Sequence, residues 1–174
     1  FSSDTATAQM LIFVLYAITM LSIYGGKLPT IIINKTGKNP YVARMQAMFI
    51  FALFPLLALF AQPLGIIHIG IRIAGAAHQS WSANIYSVVG DMFPKSTIAT
   101  IIGIGGMAGG IGSFFINMGS GRLFDYAAET NMVFMGFEGK AAGYFIIFSI
   151  CAVAYLIGWI IMKILVPKYK LVKV

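Results

Sequence analysis

Five apolar stretches of membrane-crossing length follow one another in 174 residues, at about 8–34, 41–61, 65–89, 97–119 and 142–166. Each meets the roughly 20 residues that a helix needs to cross about 30 Å of hydrocarbon. Lipid offers no partner to a free N–H or C=O, so an embedded backbone closes its hydrogen bonds inside helices or a sealed barrel. The runs are continuous rather than alternating, which excludes the barrel. An all-α membrane protein of five transmembrane helices is therefore expected. The composition agrees: charged residues make up 10% of the chain, against roughly 25% in soluble domains, which excludes an ordinary cytosolic globule.

The formal net charge is +7, but the basic residues are not interleaved with aromatics on a soluble face, so no nucleic-acid partner is expected. They gather at span ends. Lys35, Lys38 and Arg44 follow the first span, Lys95 follows the third, and Lys163, Lys168, Lys170 and Lys173 close the chain. The other side has Asp4, an uncharged Gln62-Pro63 turn, and a loop over 120–140 in which Arg122 and Lys140 are offset by Asp125, Glu129 and Glu138. The positive-inside rule then puts the C-terminus in the cytoplasm and the N-terminus outside, as an odd number of spans requires. A chain that opens on Phe1, with no basic leader before an apolar core, is expected to be a piece of a longer protein. The single Cys151 has no internal disulfide partner and reads as a small packing residue.

The spans differ in character. The first ends at Gly26 or continues through Ile31-Ile32-Ile33 to Asn34. In the longer version Lys27 lies about 10 Å inside its end, either snorkelling to the interface or buried near a cavity. The second is almost wholly Ala, Leu, Phe, Met and Ile around Pro55, and the fifth carries Tyr144, Tyr155 and Trp159 as an interfacial belt would. Both read as peripheral, lipid-facing helices. The fourth contains Gly103, Gly105, Gly106, Gly109, Gly110 and Gly112. No strand precedes these glycines and no acidic residue follows at ribose spacing, so a dinucleotide loop is not expected. Their small-xxx-small spacing suits close helix packing, with Asn117 the one strongly polar side chain of that span.

The third span is the one that constrains function. At about 100° per residue, Arg72, Gln79, His68, Tyr86, Gly75, Ser82 and His78 share about one third of its circumference, while Ser80 and Asn84 form a smaller strip on another side. Such residues in hydrocarbon mark a pathway or a binding site, or else hydrogen-bond neighbouring helices and hold them together. Arg72 is about two turns inside the span, and a guanidinium grips a carboxylate bidentately. An anionic, hydroxyl-rich solute needs such a cation with amide and hydroxyl partners. No Asp or Glu lies within any span, so an intramembrane proton carrier is expected outside this chain, with His68 and His78 as local substitutes. No acidic pair, His-Glu motif or Ser/Lys dyad marks an enzyme. His68 and His78 stand about 15 Å apart along a helix, too far to share a metal; no cofactor is expected.

The runs Ala77-His78-Gln79-Ser80-Trp81-Ser82-Ala83-Asn84, Asp91-Met92-Phe93-Pro94-Lys95 and Gly103-Ile104-Gly105-Gly106-Met107-Ala108-Gly109-Gly110, with Cys151-Ala152-Val153-Ala154-Tyr155-Leu156 running into Lys163 and Val166-Pro167-Lys168-Tyr169, occur in order. In these the sequence resembles bacterial hexuronate transporters, of the anion:cation symporter family in the major facilitator superfamily. The resemblance implies that the five spans match helices eight to twelve of a twelve-helix transporter, 1–174 being an incomplete C-terminal bundle. The superfamily's two halves enclose a midplane site. Helix ten would line the cavity, eight and eleven would border the other half, and nine and twelve would face lipid. Glucuronate or galacturonate would be imported with protons across the bacterial inner membrane. The loop after the first span keeps Gly25-Gly26 and Gly37-Lys38 but lacks the acidic residue of the superfamily's signature.

The expected function is secondary active transport of a sugar-acid anion by alternating access. Its substrate contacts would come from Arg72, Gln79, Ser82, His78 and Asn84, with Asn117 and Lys27 further out. The expected partners are the anionic solute, a coupling proton, membrane lipid and the missing N-terminal half. Two alternatives remain open, a carrier of another organic anion and a non-transporting membrane scaffold whose polar face binds partner helices.

Overall fold

A computed structural model describes residues 9, 10, 12–14, 16, 17, 20, 22–61 and 67–172, side chains at 58, 60, 61, 67–69 and 71 excepted. Asp4, the Gln62-Pro63 turn, the His68 side chain and Lys173 lie outside the described residues. The described elements from Ser22 onward are α1 (Ser22–Thr36), α2 (Pro40–Ala61), α3 (Ile67–Met92), α4 (Lys95–Glu129), β1 (Val133–Phe134), β2 (Phe137–Glu138) and α5 (Lys140–Leu165).

The expected first span is not one helix. Helical positions between 9 and 17 give way to a turn at Met20, where the Ile23 N–H donates to Met20 O, three residues back, and the α-helical ladder is interrupted. Among the described residues the helices thus number six, against five expected. With 15 residues, α1 is about 22 Å long, too short to cross alone. Among the described residues three helices are long and apolar enough to cross a membrane: α2 over Pro40–Leu57, α4 and α5. With 26 residues α3 has the length, but Arg72, His78, Gln79 and Asn84 hold its hydropathy down.

Local chemistry sets the boundaries. Gly37, at φ 63°, takes the left-handed position that ends α1, and its N–H returns to Ile33 O at 2.8 Å. Two residues on, Asn39 caps α2: its Oδ1 accepts the Tyr41 N–H at 2.9 Å, with Pro40 at the first helical position, where a missing N–H costs nothing. Pro94 separates α3 from α4 because the residue before a proline avoids the helical region. At its far end α4 continues through 120–129, expected as loop, and stops in a Schellman turn, the Met132 N–H reaching Ala127 O at 3.0 Å with Asn131 at φ 49°. The rest of the expected loop is a hairpin pairing Val133 with Glu138. Its turn, Met135 and Gly136, has φ of 50° and 84°, the primed geometry that matches strand twist.

The centre of the bundle is α2, not a lipid-facing perimeter as expected. Tyr41, Met45, Met48, Ala52 and Pro55 recur at helical spacing and are buried, with Ala43 and Ala47 beside them. Against this stripe lie Ala77, Val88 and Met92 of α3, and Trp81, Ile85, Trp159 and Met162 close around it. The peripheral reading holds for α5, but two of its rings face inward. The Trp159 Nε1 donates to Met45 O at 2.8 Å, and Tyr155 meets Trp81 edge-on at 5.6 Å. Cys151 is exposed rather than packed.

Helix association in lipid rests on close packing, and one glycine provides it. A Cβ at Gly25 would fall on the Ser80 hydroxyl and within 3.1 Å of the Phe51 ring, whereas one at Gly26 would meet nothing within 4 Å. Gly25→Ala is therefore expected to destabilise the bundle by about 1–3 kcal/mol, and Gly26→Ala to leave it unchanged or slightly firmer. Denaturant unfolding of the two variants in detergent measures the difference.

Candidate functional site: three faces of α3

The polar residues of α3 fall into three surroundings. On the first face, Ser80 and Asn84 are buried, at 2% and 1% exposure. The Ser80 hydroxyl donates to Ala76 O at 2.8 Å and reaches Ser22 O of α1 at 3.5 Å. The Asn84 amide donates to Ser80 O at 2.8 Å, while its Oδ1 has no partner among the described residues. Ser80 meets α1 at Ser22 and Gly25, and Asn84 stands apart from Arg72 and Gln79.

The second face meets α5. His78 Nδ1 and the Tyr155 hydroxyl are 2.5 Å apart, with the rings edge to face at 5.9 Å. Trp81 follows one turn on, packing between Tyr155 and the backbone at Gly158. His78 thus sits at the edge between this contact and the open side.

The third face turns away from the other described helices. Gln79 is exposed, Tyr86 is 49% exposed, and Arg72 and Ser82 are half-buried. None of Arg72, Gln79 and Ser82 makes a side-chain hydrogen bond or ion pair among the described residues. A guanidinium, an amide and a hydroxyl over nearly three turns form a surface suited to a carboxylate and hydroxyls. Cavities of about 1000, 600 and 450 Å³ lie elsewhere, under 165–172, beside the hairpin, and between α1, α2 and α5.

The two outlying candidates are far from this surface in character. Asn117 is exposed on α4, its amide donating to Ser113 Oγ at 3.2 Å. The eight glycines of that helix, Gly103 to Gly121, meet nothing within 4 Å where a Cβ is added, so among the described residues they pack against no neighbour. Lys27 is exposed, its Nζ 5.7 Å from the Tyr24 ring centroid and about 13 Å from the end of α1.

The strongest electrostatic contact was not expected from the sequence. Arg44 Nε donates to Asp91 Oδ2 at 2.5 Å and Nη2 to Oδ1 at 3.4 Å, the side chains 22% and 26% exposed. Each charge opposes its own helix dipole, Arg44 near the positive start of α2 and Asp91 near the negative end of α3, so each offsets the other's cost. The final carbonyls of α3 are capped by the chain's last residues. The Tyr169 hydroxyl donates to Asp91 O at 3.1 Å and the Val172 N–H to Met92 O at 2.9 Å, while the Tyr41 hydroxyl donates to Val166 O. Separated by 47 positions, Arg44 and Asp91 leave no sequence signal of pairing beyond opposite charge at span ends.

Among known proteins, no family model, curated protein or solved structure matches the chain.

Accessibility separates the faces. With Cys151 replaced by Ser, cysteine at Gln79 is expected to react with a water-soluble thiol reagent at least about tenfold faster than cysteine at Asn84, since only buried sites need an opening motion. Equal rates, followed by mass shift, would contradict this division of α3.

Proposed function

We propose that this chain is the C-terminal half of a secondary transporter, moving a sugar-acid anion such as glucuronate or galacturonate across a bacterial inner membrane. What carries the reading is the open face of α3: a cation, an amide and a hydroxyl aligned on a helix whose other two faces are already occupied. Arg72 would clamp the carboxylate, Gln79 and Ser82 would bond the solute's hydroxyls, and His78 would lie at the margin. Asn84 serves as a packing residue that supports this helix rather than a solute contact. The resemblance in the runs around His78, Asp91 and Gly103 supports the same assignment and points to proton coupling. Alternating access then works by rocking this bundle against an N-terminal half, with no covalent chemistry.

The test is uptake of labelled glucuronate by proteoliposomes holding both halves, with and without an inward proton gradient. Gradient-driven accumulation is expected. Each hydrogen bond to a charged group contributes about 1.5–3 kcal/mol, so Arg72→Ala with Gln79→Ala is expected to lower uptake at limiting solute by at least about tenfold. Full activity of that double variant would remove this face from the site. A second reading, a membrane scaffold, draws on the uncovered glycine side of α4. It requires stoichiometric copurification with another membrane protein and no solute flux.

A further inference from the structure

The cavity of about 450 Å³ between α1, α2 and α5 is lined by Ile32, Thr36, Gln46, Phe49, Ile50 and Trp159. Its volume falls in the range of small-molecule sites, about 300–1,000 Å³, and its walls are chiefly apolar. It lies where α1 ends, α2 begins and α5 ends, the level at which a tryptophan settles among lipid headgroups. Trp159 is fixed there by its bond to Met45 O and its ring contact with Phe49 at 4.9 Å. Below the cavity the wall continues along α2 as the exposed stripe Ile50, Leu53 and Leu57.

The mouth is basic. Lys38 reaches Gln46 Oε1 at 3.3 Å, Lys35 precedes Thr36 on α1, and Lys163 stands one turn beyond Trp159 on α5; all three lysines are exposed. No described carboxylate at this end is left free to pair with them. Asp91 is engaged by Arg44, and Asp125, Glu129 and Glu138 lie at or beyond the far end of α4, a helix of 35 residues and about 52 Å. Three cations above an apolar groove at headgroup depth have the complement of a single amphiphile. A free anion would leave the groove empty, and an apolar peptide would leave the lysines unpaired.

We propose that this groove binds one anionic phospholipid, its acyl chains along Phe49, Ile50, Leu53 and Leu57 and its phosphate among Lys35, Lys38 and Lys163. The site is independent of the open face of α3 and of whether the protein carries sugar acids.

The groove holds its own reporter, because the chain has two tryptophans and Trp81→Phe leaves Trp159 alone. In detergent with traces of brominated lipid, phosphatidylglycerol is expected to quench Trp159 at lower concentration than phosphatidylcholine. Each juxtamembrane lysine contributes about fivefold to anionic-lipid preference, so Lys35→Gln, Lys38→Gln and Lys163→Gln together are expected to erase it while residual quenching remains. Ile50→Trp, read by native mass spectrometry on the chain with both native tryptophans, is expected to displace either lipid. The same method compares the two lipids on the unmutated chain should Trp81→Phe not fold. Equal quenching by both lipids would overturn the proposal, as would a preference that survives loss of the lysines. Absence of quenching by either, as when a protein segment fills the groove, would overturn it too.

Discussion

A polar side chain packed among apolar helices has to be bonded to protein or kept wet, and α3 has more of them than one packing face can satisfy. Ser80 and Asn84 point one way, His78 and Trp81 another, and Arg72, Gln79 and Ser82 a third. Two of these directions are closed by α1, α2 and α5. This partition explains why α2 occupies the middle of the bundle: its Ala43, Ala47 and Ala52 let α3 come close, and the buried strip bonds back to its own helix. What is left over is not a remnant of poor packing but a contiguous side, with a guanidinium and an amide separated by about two turns. A helix made only to glue others together would have no reason to collect its strongest cation there.

Legibility in the sequence followed how local each signal was. Length and continuous hydropathy placed α2, α4 and α5, because a helix needs only its own residues to close its backbone bonds. The period of about 3.6 residues likewise separated the Ser80 and Asn84 strip from Arg72 and Gln79. The same rule that counts apolar residues misjudged α2, where every face is apolar and hydropathy cannot tell lipid from a neighbouring helix. Its heptad-like run Tyr41, Met45, Met48, Ala52 was the readable clue. Within the expected first span, the break near Met20 rests on one three-residue hydrogen bond in an apolar run, which leaves no trace in composition. The hairpin after α4 was legible only through Met135-Gly136 between Val-Phe and Phe-Glu, a weak form of the usual Asn-Gly turn. Pairing of Arg44 with Asp91 depends on tertiary proximity alone.

That pair also explains how the positively charged end of the bundle is held together. Net charge of +7 tends to push the ends of α1, α2 and α5 apart. Among the described residues Arg44 is the one basic side chain there with a carboxylate partner, and the carbonyls of Asp91 and Met92 are capped by the Tyr169 hydroxyl and the Val172 N–H. The chain after α5 therefore spans the ends of α2 and α3 as a strap. The unpaired lysines are left to the rim, where an anionic surface is the available counter-charge.

Against this closed unit α4 behaves differently. Its apolar window has none of its residues buried, and it is attached at its two ends: through Phe93-Pro94 to α3, and through Phe124 against Tyr144, with ring centroids 4.4 Å apart, to α5. Gly143 allows that second contact, a Cβ there lying 3.0 Å from the Phe124 ring. The glycines between the two ends follow the same logic as Gly25 with the opposite outcome. A surface without Cβ atoms gains dispersion only from a neighbour whose backbone approaches closely. Gly25 has such a neighbour in Ser80, and the glycines from Gly103 to Gly112 have none among the described residues. The fold thus fixes α1, α2, α3 and α5 by contacts along their length and α4 by its ends, so rigidity is concentrated behind the open side of α3.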